Sequence, residues 1–307
     1  MSKQNYIFCR DFWFGEQRQS DSILEIYQHI PNLIFRDIME YNSYADVRNS
    51  NVIFIGEIPE RVEIFPDEEF FKTNTIFFHY HLEGSIITEL RKSLYSNWIY
   101  LLYFDAPEIN NFLINELKYQ TINIKFYLPT KPQVDFKTRR LGYWNRTGLY
   151  CSEVINRIIE KLYIDCVYIY DHPNGGYPYL EKDFLKHIKC DNIYYLDGRE
   201  NRSRETYIRF MENCNIYLCP RRVESCGISN LEQMVRGCFV IGMDLPSMNN
   251  YIKHKETGFL INNDFSNLND LENMDIQQIG MNMRMDCING FNEFKENFKT
   301  FIDKYFI

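Results

Sequence analysis

A chain of 307 residues that is 45% hydrophobic and 16% aromatic can build two compact domains with separate cores, which excludes a disordered chain. Its formal net charge of −8 excludes a general polyanion binder, because nucleic-acid affinity rests on clustered Lys and Arg against phosphates, and leaves only a local basic patch.

In chain order, the first half alternates short apolar runs with helix-length amphipathic stretches, the pattern of parallel strands joined by crossover helices. The runs NYIFC, LIFRD, NVIFIG, TIFFHYH, WIYLLYF and INIKFYL are the predicted strands. Two of the intervening helices carry start signals: a capping-box pattern at Ser22 to Glu25, and Asp105 with an early proline at Pro107. WIYLLYF, the most apolar run, is too short to cross a bilayer. The stretch LPTKPQVDFKTRR, Leu128 to Arg140, has two prolines and clustered charge and reads as a linker. A second series follows: RLGYW, DCVYIY, NIYYLDG, CNIYLCP, CFVIGMD and GFLIN.

The expected fold class is therefore α/β, with two doubly wound, Rossmann-like domains. Such sheets bind ligands beyond the carboxyl ends of their strands, so two facing domains imply a cleft between them. The expected boundaries are residues 1–130, 131–285, and a C-terminal helix over 286–307 that packs on the body of the protein, with the N-terminal domain as its candidate partner. Phe291, Phe294, Phe298, Phe301 and Phe306 give that helix an aromatic face, and Met281, Met283 and Met285 read as core filler.

Nine cysteines (Cys9, Cys151, Cys166, Cys190, Cys214, Cys219, Cys226, Cys238 and Cys287) form no C-x-x-C pair. That is a reduced, cytoplasmic pattern, and Cys166, Cys214, Cys219 and Cys238 lie in apolar runs where a thiol packs as a small hydrophobe. The N-terminus lacks the apolar region and cleavage site of a signal peptide. The N-x-[ST] matches at Asn145 and Asn201 carry no weight in such a chain.

The stretch ESCGISNLE, Glu224 to Glu232, sets two carboxylates around Gly227 between a predicted strand and a predicted helix. On that helix Ile228, Leu231, Met234 and Val235 share an apolar stripe, Ser229, Gln233 and Arg236 face away, and Glu232 sits one turn after Ile228 at the margin. Glu224 occupies the loop beyond the strand. Gly227 permits close backbone approach, and the first N–H groups of the helix are suited to phosphate oxygens. On spacing alone, Glu224 remains a surface loop residue and Glu232 an early-helix acid favoured by the helix dipole.

The surroundings add to this. Residues 213–261, a strand ending in proline, then Arg, Glu and Gly, a helix with LEQM, the GCFVIGMD strand and ETGFLI, resemble the donor domain of glycosyltransferase family 4, of GT-B architecture. Similarity continues upstream through LGYWNRTG, VYIYDHPNGGYPYLEKDFL and NIYYLDG, so it spans the second half of the chain. The resemblance implies that Glu232 binds the donor ribose and Glu224 the hydroxyls of its sugar, with a catalytic part for Glu224. It implies that amides around Gly227, Ile228 and Ser229 hold the diphosphate. Arg146 is the match for the family's phosphate-binding cation, and Leu196 with Asp197 for the region that contacts the base. In the first domain, His81 matches the histidine near the reacting sugar and Gly15 the glycine-rich loop near the phosphates.

The activity implied is hexosyl transfer from a UDP- or GDP-sugar to an acceptor hydroxyl, with retention, in the interdomain cleft. Acceptors of the family's kind are a polysaccharide, a glycolipid or another lipid-linked glycan, with peripheral membrane contact and no nucleic acid. No further cofactor and no metal is expected, since no Asp-x-Asp motif ends a strand. The rival readings are a glycosidase using the two Glu residues, a non-catalytic sugar-nucleotide-binding or scaffold subunit, motivated by the small first domain, and a transferase acting on DNA bases.

Overall fold

A computed structural model describes residues 3–9, 27, 29–37, 46–55, 68–79, 98–102, 114–115, 120–173, 177–181, 183–201, 203–221, 227–245 and 248–307. The chain divides into two compact units, residues 1–126 together with 292–307, and residues 127–291.

The first unit is a parallel sheet built from β1 (Asn5–Cys9), β2 (Leu33–Asp37), β3 (Asn51–Ile55), β4 (Thr75–His79), β5 (Trp98–Leu102) and β6 (Gln120–Asn123), with α1 (Glu68–Thr73) before β4. The order β2-β1-β3-β4-β5-β6 reverses direction between β1 and β3. Every residue of β3 is buried, whereas the edge strand β2 is not. A continuous apolar run suits a strand covered on both faces. The amino ends are tied by buried asparagines: Asn51 Nδ2 donates to Asn5 Oδ1 at 2.9 Å, and Asn74 Oδ1 accepts from Ser50 N at 2.8 Å. The capping signals at Ser22 to Glu25 and at Asp105 lie outside the described residues.

β6 differs from its sequence pattern. The alternation Ile122, Ile124, Phe126, Leu128 predicts a longer strand, but pairing stops at Asn123. Ile124, Phe126 and Leu128 are nonetheless buried. Alternating burial needs only an extended chain over a core, and at a sheet edge it persists without a partner strand.

The second unit contains β7 (Arg140–Asn145), α2 (Ser152–Leu162), β8 (Cys166–Asp171), β9 (Ile193–Asp197), α3 (Arg204–Met211), β10 (Ile216–Leu218), α4 (Ile228–Met234), β11 (Phe239–Met243) and β12 (Phe259–Ile261). Its parallel order, β12-β11-β10-β7-β8-β9, reverses between β7 and β10. α2 buries Val154, Ile155, Ile158, Ile159 and Leu162 on one stripe and stops where Tyr163 turns left-handed at φ 49°. Burying an isoleucine of that stripe contributes about 1.5–3 kcal/mol. Asn215 closes the amino end here: its Oδ1 accepts from Arg140 N at 2.9 Å, and its Nδ2 donates to Asp135 O and Thr138 O at 2.6 Å each.

α5 (Ile276–Tyr305) contributes its residues up to Phe291 to the second unit and those from Asn292 to the first. In the first unit Phe298 packs edge-on against Tyr27 at 5.7 Å, Phe301 against Phe77 at 5.4 Å, and Phe294 against Phe126 at 5.3 Å. Of the three methionines read as core, only Met283 is buried; Met281 and Met285 are 40% and 54% exposed, because positions two apart on a helix diverge by about 200°. Cys214, Cys219 and Cys238 are buried as expected, while Cys166 is only partly so, lying at the start of its strand. No helix among the described residues is long and apolar enough to cross a membrane.

Candidate functional site

The reversal between β7 and β10 separates the loops that leave their carboxyl ends, and open α/β sheets bind ligands at such a point. Both strands run in register there, Leu218 beside Tyr143. Thr147 Oγ1, in the loop after β7, donates to Pro220 O at 3.0 Å, so the two loops are tied to each other. Next to them, Asp171 at the end of β8 is fully buried and accepts from Asn145 Nδ2 at 2.8 Å, Leu180 N at 3.0 Å and Tyr195 OH at 2.8 Å. Three donors satisfy the charge and fix the loop that follows.

After β10 the chain reaches Gly227, in the left-handed region at φ 46°, where a Cβ would lie 2.7 Å from Asn230 Nδ2. The left-handed backbone favours glycine there. The first hydrogen bonds of α4 run from Asn230 N and Leu231 N to Gly227 O, at 2.8 and 3.0 Å. The N–H groups of Ile228 and Ser229 precede them.

α4 is not half-exposed as its sequence suggests. Ser229, Gln233 and Arg236, read as facing away from the core, are 8%, 3% and 7% exposed. Their side of the helix faces α3: Arg236 Nη1 donates to Gln233 Oε1 at 2.6 Å and to Met211 O at 3.3 Å, and Nη2 donates to Glu212 O. The guanidinium thereby satisfies carbonyls at the end of α3, where a cation is favoured.

Glu232 is on the same helix and only 3% exposed. Arg204 Nη2, at the first residue of α3, donates to Glu232 Oε1, and Lys131 Nζ lies 4.0 Å from the same oxygen. Glu232 Oε2 is buried without a hydrogen-bond partner among the described residues. Burial raises the pKa of this carboxyl above its ordinary value, opposed by the charges of Arg204 and Lys131. Beside it, Tyr207 and Tyr217 share a hydrogen bond at 3.1 Å, and the Tyr207 phenol is pushed up by burial first and by the charge of Glu232 second. Trp144, from β7, packs against Tyr207 at 4.7 Å, and the Arg146 guanidinium covers the Trp144 ring at 4.7 Å. Tyr207 also feels the charge of Arg146. An aromatic wall of Trp144 and Tyr207 thus links the cation after β7 to the carboxylate on α4.

Of the residues expected from sequence, the structure groups Arg146 and Glu232 through this wall and places Gly227, Ile228 and Ser229 at the start of the helix that carries Glu232. Leu196 stands apart, on β9, paired with Tyr170 and two strands out from β7. Beyond it Arg199 grips Asp197 and covers the Tyr179 ring at 4.7 Å. Glu224, His81 and Gly15 lie outside the described residues.

Sequence reasoning did not find Arg204 and Lys131. A signal for Arg204 was present: Ser203 caps α3, its Oγ accepting from Thr206 N at 3.1 Å, so the next residue opens a helix at the carboxyl edge of the sheet. Lys131, in the stretch read as a linker, gave none. Among the described residues no group of three or more His, Cys, Asp or Glu side chains is placed to hold a metal ion.

Comparison with known proteins bears on this site. Residues 190–273, which include Arg204 and Glu232, match the family model described as Glycosyl transferases group 1. No curated protein sequence matches the chain. Among solved structures, Anabaena HepE in complex with UDP and glucose is 8% identical with a TM-score of 0.60, covering 98% of this chain and 99% of its own. A glycosyltransferase from Rickettsia africae is 12% identical with a TM-score of 0.59, covering 99% and 98%. The pneumococcal O-GlcNAc transferase GtfA in complex with UDP and GlcNAc is 14% identical with a TM-score of 0.55; 86% of this chain aligns with it and spans 58% of GtfA's length. At such identities the likeness is one of fold, and with the two parallel sheets above it establishes a GT-B architecture over nearly the whole chain. Residues 190–273, with the buried Glu232 and Arg204, thus match the glycosyl transferases group 1 family within a GT-B fold.

Proposed function

We propose that the protein is a retaining glycosyltransferase that moves a hexosyl unit from a uridine diphosphate sugar to an acceptor hydroxyl. The observation that carries this reading is Glu232, a buried carboxylate held by Arg204 and Lys131 with one oxygen that has no hydrogen-bond partner among the described residues. A buried charge with open acceptor capacity is costly unless a ligand completes it, and a ribose hydroxyl supplies the missing donor. HepE and GtfA, of the same fold, are known with UDP bound, which supports uracil over guanine or adenine.

In this reading Glu232 accepts from the ribose, the amides of Ile228 and Ser229 and the cation of Arg146 receive the diphosphate, and the residues near Leu196 contact the base. Glu224 holds the hydroxyls of the donor sugar and His81 stands near its reacting carbon, with Gly15 beside the phosphates. In the transfer, the bond from the anomeric carbon to the diphosphate breaks, the electron pair leaves with UDP, and the acceptor oxygen bonds to the same face while its proton passes to the departing diphosphate. The protein's part is to stabilise the departing charge and orient the sugar.

Titration calorimetry with UDP, GDP and ADP tests the site. UDP is expected to bind selectively, and Glu232→Ala to weaken it by about tenfold or more. Unchanged affinity in the variant would remove Glu232 from the site, and equal binding of the three nucleotides would remove the preference for uracil. Release of UDP from UDP-sugars in the presence of glycan and lipid-linked acceptors tests turnover; binding without turnover on any of them replaces the enzyme with a sugar-nucleotide-binding subunit.

A further inference from the structure

The two residues on either side of Arg146 are all tied by hydrogen bonds. Trp144 Nε1 donates to His172 O at 2.9 Å, Asn145 Nδ2 to Asp171 Oδ1 at 2.8 Å, Thr147 Oγ1 to Pro220 O at 3.0 Å, and Gly148 N to Asn145 Oδ1 at 3.2 Å. Asp171 and His172 belong to the end of β8 and Pro220 to the loop after β10, so the loop after β7 is gripped from both neighbouring strands. Asn145 and Asp171 are fully buried, and the carboxylate keeps its other oxygen on Leu180 N and Tyr195 OH. A buried polar pair is stable only when its groups are satisfied, and a satisfied network is rigid. Arg146 itself is half-buried, with its guanidinium 4.7 Å over the Trp144 ring.

We infer that the end of β8 presets Arg146 for a phosphate-bearing ligand, with Asp171 as the positioning residue: through Asn145 it fixes the backbone from which Arg146 reaches, and Thr147 fixes that backbone from the other side. The inference rests on the reading of Arg146 as the cation for the diphosphate and adds what holds that cation in place. An arginine loses rotamer freedom on binding, and a fixed backbone with the guanidinium already laid on a ring reduces the loss. The charge of Asp171 works the other way. A carboxylate near an anion repels it, so any gain in affinity from Asp171 comes through geometry and not through its charge.

The test is titration calorimetry of the full chain with UDP and with uridine, which lacks the phosphates, on the unaltered protein and on Asp171→Asn, Thr147→Val, Arg146→Ala and the double variant of Asp171→Asn with Arg146→Ala. Asp171→Asn keeps the shape and removes the charge; it is expected to weaken UDP about fivefold or more and to leave uridine within about twofold. Tighter or unchanged UDP binding in this variant overturns the inference. Thr147→Val removes one tie and is expected to weaken UDP about threefold with uridine unchanged, so it carries the test if Asp171→Asn does not fold; there too, unchanged UDP affinity overturns the inference. Arg146→Ala is expected to cost UDP about tenfold, and Asp171→Asn then to add less than about twofold, since both act through one group. Full additivity of the two losses, or a parallel loss of uridine, would make Asp171 merely structural and overturn its positioning role. Failure of the unaltered protein to bind UDP, or an Arg146→Ala variant that binds it as well, overturns the reading of Arg146 itself, and this inference with it.

Discussion

Glu232 is a charge in a place where a charge is costly, and its titration should report on the site. Burial raises its pKa and the charge of Glu212 adds to that, while Arg204 and Lys131 oppose it. A carboxyl whose folded pKa lies above its unfolded value takes up a proton on folding, so its contribution to stability is greatest in acid and is lost as pH rises from the ordinary carboxylate range through the folded value. Ligand binding has the opposite sign, since the ionised form is the stronger acceptor for a hydroxyl. The ratio of UDP affinities between the unaltered protein and Glu232→Gln is therefore expected to be largest near neutral pH and to shrink on acidification, beginning above the ordinary carboxylate range. Taking the ratio cancels the titration of the nucleotide's own phosphate. Calorimetry at a series of pH values reads it, and a ratio constant with pH would mean that the charge of Glu232 does not contribute.

Among the elements, α4 explains why a hydrophobic pattern can name a helix and still misjudge its setting. Its apolar stripe of Leu231, Met234 and Val235 was legible, but its polar stripe meets the end of α3, with Arg236 spanning the gap to the Met211 and Glu212 carbonyls. The turn that ends this segment is fixed from outside: Gly237, at φ 78°, is crossed by α5, where a Cβ on Gly280 would lie 2.3 Å from the Gly237 carbonyl oxygen. Backbone cannot yield as a side-chain end can. Gly280→Ala is expected to destabilise the second unit by about 1–3 kcal/mol, whereas Met281→Ala, at the neighbouring exposed position, stays within about 0.5 kcal/mol. Urea unfolding of the two variants checks this; equal midpoints would show that the crossing relaxes without cost. The strands were read more securely than the helices, because β-branched and aromatic runs of strand length have few alternatives. β6 slipped because its buried alternation continues past its last paired residue.

For the whole molecule, the decisive feature is that each sheet reverses direction once, between β1 and β3 and between β7 and β10. The second reversal carries Glu232, its cations and the Trp144–Tyr207 wall within residues 127–291. A nucleotide bound there should stabilise this unit by mass action, by about 2.7 kcal/mol at a concentration one hundred times its Kd. Hydrogen exchange with and without UDP should show the added protection in residues 127–291 of the unaltered protein, reduced in Glu232→Ala by about 1.4 kcal/mol or more at the same UDP concentration. Protection undiminished by the substitution would place the nucleotide elsewhere.

By itself the sequence determined the alternation of strands and helices, the two-part organisation and the glycine-flanked helix with Glu232, because hydrophobic period and glycine placement are local properties of the chain. Only the tertiary structure decided that Lys131, Arg204 and Glu232 meet. These positions are distant along the chain, and their meeting depends on β10 pairing with β7 and not with β9. Long-range strand order is set by the packing of the whole core, which no short stretch of residues encodes.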